Sequence, residues 1–245
     1  RAAAPPRPTP RRALAEAMAV LAGQRSGDRA AALAAVRRAA EEGLPGADFA
    51  LGRALEEGLA GDADAEGARA AYRRGAERGD PRCMFALARR LLEDGKPATM
   101  AEGVAWLERY AEARPRAAEV RRSLGDLFAH EGARWSDPAK ARRYWREAYE
   151  LGSTVAALRL ADAARGQGRE ADARRWLERA ARAGDGEAHF ALAEAYEQGA
   201  LGLRASRRRA LQHYRAAAAA GHPRARERAA ALEEPRRRRR RRSQG

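Results

Sequence analysis

What this chain lacks narrows it before anything it contains. It has no isoleucine and no asparagine, and of its 49 basic residues only Lys96 and Lys140 are lysine. The missing residue types are those with A/T-rich codons, so a GC-rich genome accounts for the arginine excess without appeal to function. Cysteine occurs once, at Cys83, which excludes an internal disulfide. With Met84, Phe85 and Leu87 around it, Cys83 reads as a small buried residue and not as a reactive thiol. No stretch approaches the roughly eighteen apolar residues of a membrane span, because Arg or Glu interrupts every helix-length segment.

Catalytic signatures are missing as well. Gly95-Lys96 is followed by Pro97 and has no upstream glycine at P-loop spacing. His130, His189, His213 and His222 stand in no zinc-binding arrangement, and His213, beside Tyr214, reads as a packing or surface histidine. Ser123, Ser136, Ser153 and Ser206 lack a nucleophile-elbow context. The chain is therefore expected to be no enzyme and to need no cofactor or metal.

What is present is charge and repetition. The net charge of +15 sits mostly at the ends: Arg1, Arg7, Arg11 and Arg12 open the chain without an acid, and Arg236, Arg237, Arg238, Arg239, Arg240, Arg241 and Arg242 nearly close it. Residues 13–235 keep only +4, with Arg and Glu alternating as on solvated helix faces. Residues 1–12 and 234–245 are expected to be disordered arms around a folded body at 13–233. The proline-rich opening reads as the start of a mature chain after signal-peptide removal, which favours a periplasmic or secreted location over a cytoplasmic one; a trimmed sequence would read the same.

Two frames interleave along the body. The first places a small residue, an apolar or aromatic residue four later, another four beyond, and a glycine three further on. It reads Ala32, Val36, Ala40, Gly43; Ala68, Tyr72, Ala76, Gly79; Glu102, Trp106, Tyr110, Ala113; Ala141, Trp145, Tyr149, Gly152; Ala173, Leu177, Ala181, Gly184; and Ala210, Tyr214, Ala218, Gly221. That spacing is one helical stripe with a left-handed stop behind it. The second frame ends in Leu-Gly or Leu-Ala: Ala47, Phe49, Leu51, Gly52; Cys83, Phe85, Leu87, Ala88; Val120, Arg122, Leu124, Gly125; Ala156, Leu158, Leu160, Ala161; and Ala188, Phe190, Leu192, Ala193. Its leucines recur every 32 to 37 residues, and counting back predicts a first helix at about Arg11 to Ala22. Each unit is thus two helices, brought close by the small residue after leucine. Asp64, Asp137 and Ser206 stand where the second helix needs a cap, and Pro138 at its first position.

The pattern small-x-aromatic-x-Leu-Gly-x-x-Tyr-x-x-Gly, a glycine loop, Asp-x-x-x-Ala and Trp-Tyr-x-x-Ala-Ala-x-x-Gly resembles the Sel-1-like repeat, a relative of the tetratricopeptide repeat. The clearest copy runs from Ala188 to Gly199 and from Ala210 to Gly221, and the resemblance covers about Leu14 to Leu232. Glu102 and Ala113 in the third unit, and the short linker at 166–170, depart from the pattern. The resemblance implies an all-α, right-handed α-α superhelical solenoid of about six helix pairs plus a C-terminal capping helix, acting as an adaptor.

In such a stack the first helix of each pair should line a concave groove that holds a peptide or protein partner. Two residues past each frame leucine stand Arg53, Arg89, Asp126, Asp162 and Glu194, which with Glu197 change sign along the groove and would orient an extended ligand. The bland alternative is that helical surfaces carry both signs by chance. Phe49, Phe85 and Phe190 are candidate apolar anchors there, or else pack between helices. Trp106, Trp145 and Trp176 read as core, and Trp135, in a loop, as the aromatic most open to solvent. The rival reading is an electrostatic binder of nucleic acid, another anionic polymer or an anionic surface, working through the basic arms and above all Arg236–Arg242.

Overall fold

The computed structural model describes the backbone of residues 9–242 and the side chains of residues 9–233. The described residues form thirteen helices and no strand: α1 Pro10–Leu21, α2 Arg29–Glu41, α3 Ala47–Glu56, α4 Ala65–Glu77, α5 Pro81–Glu93, α6 Pro97–Ala113, α7 Ala118–Phe128, α8 Pro138–Glu150, α9 Thr154–Gly166, α10 Glu170–Arg182, α11 Gly186–Gln198, α12 Arg207–Ala219 and α13 Ala225–Arg242. Six pairs and a final helix match the number the repeat frames predict.

The helices are placed by the signals the frames contain. Asp64 and Asp137 accept backbone N–H bonds at the starts of α4 and α8, as does Ser206, over a longer distance, at α12. Asp28, Asp80 and Asp185 do the same for α2, α5 and α11. Pro10, Pro81, Pro97 and Pro138 sit at first positions, where the missing N–H costs nothing. Gly152 ends α8 at φ 99°, a conformation that would strain any L side chain.

The chain divides into two compact units. The first comprises Arg1–Pro115 with Ala133–Trp135 and holds α1 to α6. Within it each helix packs on the next, and the first helices of successive pairs also touch directly, α1 with α3 and α3 with α5. Its core contains the frame residues Val36, Leu51, Tyr72, Leu87 and Trp106. Cys83 is buried there, and burial pushes its thiol up to about 12, which agrees with a packing role.

The second unit comprises Arg116–Gly132 with Ser136–Gly245 and holds α7 to α13. Leu124, Trp145, Leu160, Leu177, Leu192 and Tyr214 fill its core, and Ala225 and Ala229 dock α13. Gly125 shows why a small residue follows the frame leucine: a Cβ there would collide with the Trp145 indole, and the same holds for Gly52 beneath Tyr72. The short linker leaves α9 and α10 correctly paired.

Two boundaries differ from expectation. Helix α1 starts at Pro10, ahead of residue 13, because proline suits the first helical turn. The α13 backbone continues as helix past Glu233 and across Pro235 to Arg242; arginine is a strong helix former, which works against the N–H that the proline withholds. The opening residues 1–8, and the side chains of 234–245 with the candidate anion-binding run Arg236–Arg242, lie outside the described residues.

Candidate functional site

The first unit carries a depression of about 560 Å³ between α3 and its neighbours. Helix α3 contributes Phe49, Arg53 and Glu56, with Glu57 just past its end; α4 contributes Tyr72; α5 contributes Arg82, Phe85, Ala86, Arg89 and Arg90; and Tyr110 and Arg114 complete the wall. Four residues singled out from the repeat frames, Phe49, Arg53, Phe85 and Arg89, therefore share one concavity. They do so because Arg53 and Arg89 stand two positions past the frame leucines of neighbouring first helices.

Aromatic rings form the apolar part of this wall. Phe85 and Tyr110 pack with centroids 5.3 Å apart, Phe49 and Tyr72 at 6.0 Å, and the Arg82 guanidinium lies 5.1 Å from the Phe49 centroid. Phe85 is 44% exposed, an unusual state for a phenylalanine inside a repeat frame.

The polar part is organised around Glu56. Its carboxylate accepts the Tyr72 hydroxyl at 2.5 Å and Arg89 at 3.0 Å, and also pairs with Arg90. Glu57 accepts two bonds from Arg53. Burial pushes the Tyr72 hydroxyl up to about 12, with the Arg89 and Arg53 charges pulling against it. Five arginines face two glutamates here.

A depression of about 620 Å³ in the second unit has a different character. Asp126 accepts Arg122 at 2.7 Å, the Trp145 indole N–H at 3.0 Å and Arg159 at 3.1 Å. Asp162 lies at its edge with Arg165 3.9 Å away, and His130, Glu131, Arg142 and Gln167 also line it. Three acids face two arginines.

No family model matches the chain, and no curated protein matches it. Solved structures do. A protective antigen present in uropathogenic Escherichia coli strains, displaying an SLR fold, superposes with a TM-score of 0.66 at 24% identity over 93% of this chain. This chain spans about half of that one, 49% of its length. A Sel1 repeat protein from Oxalobacter formigenes superposes with a TM-score of 0.53 at 24% identity, covering 86% of this chain and 88% of the other.

This chain has the Sel1-like repeat fold.

On that Sel1-like fold the remaining candidate residues fall in separate places. Phe190 is 2% exposed: it stacks on His222, meets Tyr214 edge-on and is covered by the Arg224 guanidinium, so it is a core residue and not a surface anchor. Glu197 is taken up by the Tyr214 hydroxyl at 2.8 Å and Arg228 at 2.7 Å. Glu194 lines a smaller depression of about 230 Å³ with Arg165, Glu170 and Gln198. Trp106 and Trp145 are buried as expected, while Trp176 is half-buried and meets Tyr149 in a T-shaped contact. Trp135 is half-buried too, and the aromatic most open to solvent is Phe85.

Most of the charges proposed to face a ligand already have a local counter-ion: Arg53 has Glu57, Arg89 has Glu56, Asp126 has Arg122 and Arg159, and Glu197 has Arg228. Two of these pairs are four residues apart in the chain, and three join different helices.

Glu56, Tyr110 and Arg82 were not anticipated as site residues. Tyr110 carried a signal, because four of the six copies of the first frame have alanine at its position. Asp48, 4% exposed, was also unforeseen; it receives Arg74 and Arg78, each at 2.6 Å, and Arg78 reaches on to the Ala40 carbonyl. Among the described residues no three His, Cys, Asp or Glu side chains gather as a metal site, and no helix is long and apolar enough to cross a membrane.

Proposed function

We propose that this chain is a non-enzymatic interaction scaffold that holds a protein or peptide partner, and that the depression of the first unit is its working surface. The observation that carries this reading is the convergence of Phe49, Phe85 and Tyr110 with Arg53 and Arg89 around one open concavity. Aromatic and arginine side chains dominate the binding energy of protein interfaces, since they bury large area and still satisfy polar groups. The Sel1-like repeat fold agrees with this reading, because stacked helix pairs present extended surfaces without catalytic machinery.

The alternative is binding of nucleic acid or another anionic polymer through the basic arms, where any arginine run attracts phosphate with little sequence preference. Partner capture compared between the intact chain, Arg53→Glu with Arg89→Glu, and a chain lacking Arg236–Gly245 separates the two. Loss with the double reversal and retention without the tail supports the scaffold. Capture that disappears with the tail and ignores the double reversal makes the helical array a carrier and the arginine run the functional element.

A further inference from the structure

We infer that the depression of the first unit takes an acidic peptide segment bearing an aromatic or large apolar side chain among its carboxylates. This rests on the reading of that depression as a binding surface, and adds the chemistry of what fills it.

The apolar half of the inference comes from a comparison between copies. Phe49, Phe85, Leu158 and Phe190 occupy the same position of the second frame. Phe190 is sealed at 2% exposure by His222, Tyr214 and Arg224, and Phe49 and Leu158 are half-buried. Phe85 alone of the four is open, at 44%, with Tyr110 extending its apolar surface on one side. An exposed ring at a position otherwise used for packing is a seat for a partner's apolar group. Large aromatics exposed singly need no explanation, but this one lies in a concavity, with arginines around it.

The polar half comes from donors outnumbering acceptors. A guanidinium has five N–H donors, and five guanidinium groups line the depression with two carboxylates, while Asp80 and Glu93, outside the lining, take up part of Arg82 and Arg90. One of those carboxylates, Glu56, already serves Tyr72, Arg89 and Arg90. Arg53, Arg82 and Arg89 remain 50%, 53% and 51% exposed. A carboxylate entering beside Phe85 meets charge-assisted donors against an apolar wall, where such bonds gain strength. A basic segment is repelled. A continuous phosphate backbone fits less well, because Glu56 and Glu57 stand in the same wall and the concavity is of a size for a few side chains.

The test is fluorescence anisotropy with the full chain and a fluorescein-labelled ten-residue peptide carrying two glutamates on each side of one phenylalanine. Comparison peptides replace the glutamates by glutamine or the phenylalanine by alanine. The acidic aromatic peptide should bind about tenfold or more tightly than either, and Phe85→Ala should weaken it about tenfold. Arg53→Glu with Arg89→Glu should weaken it more than tenfold, while Arg165→Glu with Arg175→Glu, exposed on the second unit, should change it less than about twofold. All variants should stay folded at the assay temperature, with the melting midpoint of Arg53→Glu with Arg89→Glu somewhat lowered because the reversed charges face Glu57 and Glu56.

Equal binding of the glutamine peptide, still dependent on Phe85, would overturn the acidic assignment and leave the scaffold reading standing. Binding indifferent to Phe85→Ala and weakened alike by both reversals would overturn it as general attraction to a cationic chain. A single-stranded oligonucleotide that outcompetes the peptide in a Phe85-dependent manner would reassign the surface to nucleic acid. Absence of any Phe85-dependent binding overturns the acidic-aromatic assignment, and the scaffold reading falls with it only where partner capture also ignores Arg53→Glu with Arg89→Glu.

Discussion

At the scale of single residues, the least replaceable positions are those where one side chain, or the lack of one, satisfies several neighbours. Asp48 is a buried carboxylate held by Arg74 and Arg78, which are themselves partly exposed. Its substitution by asparagine keeps the shape but removes the charge that both guanidinium groups address. Asp48→Asn should cost about 1–3 kcal/mol in urea unfolding, because two charge-assisted bonds weaken while the arginines regain water. Gly152 is the complementary case, with nothing crowding it and a φ of 99° that only the missing Cβ permits. Gly152→Val should cost roughly 1 kcal/mol or more, and an unchanged thermal midpoint would count against its role as the stop of α8.

At the scale of helices, α11 and α12 meet through an imidazole pair. His189 and His213 share a hydrogen bond between their Nδ1 atoms at 3.0 Å, and Tyr196 stacks on His213. Burial, then the neighbouring His189, lowers the His213 pKa below its ordinary 6.5, with Glu178 acting the other way. An unfolded chain therefore takes up a proton that folded His213 refuses between its depressed value and 6.5. Stability should fall as pH drops through that window and level off below the depressed value. Thermal midpoints across pH, compared with His213→Gln, measure this: the variant should show a shallower loss on the acid side.

At the scale of the whole molecule, the arginine run and the helical array should be separable. The last helix is anchored by Ala225 and Ala229, and Arg236–Arg242 offers no apolar side chain to bury. Deleting Arg236–Gly245 should leave the circular-dichroism spectrum of the body strongly helical and its melting cooperative, while most salt-sensitive binding of nucleic acid is lost. A spectrum with substantial sheet character would contradict the fold itself.

What the sequence determined is what short-range physics determines. Asp64 and Asp137 cap helices because an oxygen three residues ahead reaches a free N–H, Gly152 stops one because its φ is positive, and Gly125 follows Leu124 because Trp145 needs the space. All of these recur at fixed spacing, so the frames reveal them together with the number of helix pairs. The identity of the exposed surface was not legible in this way. Phe85 and Phe190 hold the same place in the frame, yet one faces solvent and the other lies under His222 and Arg224. Glu56 became the centre of a site only when α4 and α5 brought Tyr72, Arg89 and Arg90 to it. Exposure and ion pairing belong to surfaces that meet from different helices, and only the packing of those helices decides which copy of a repeated position is left open.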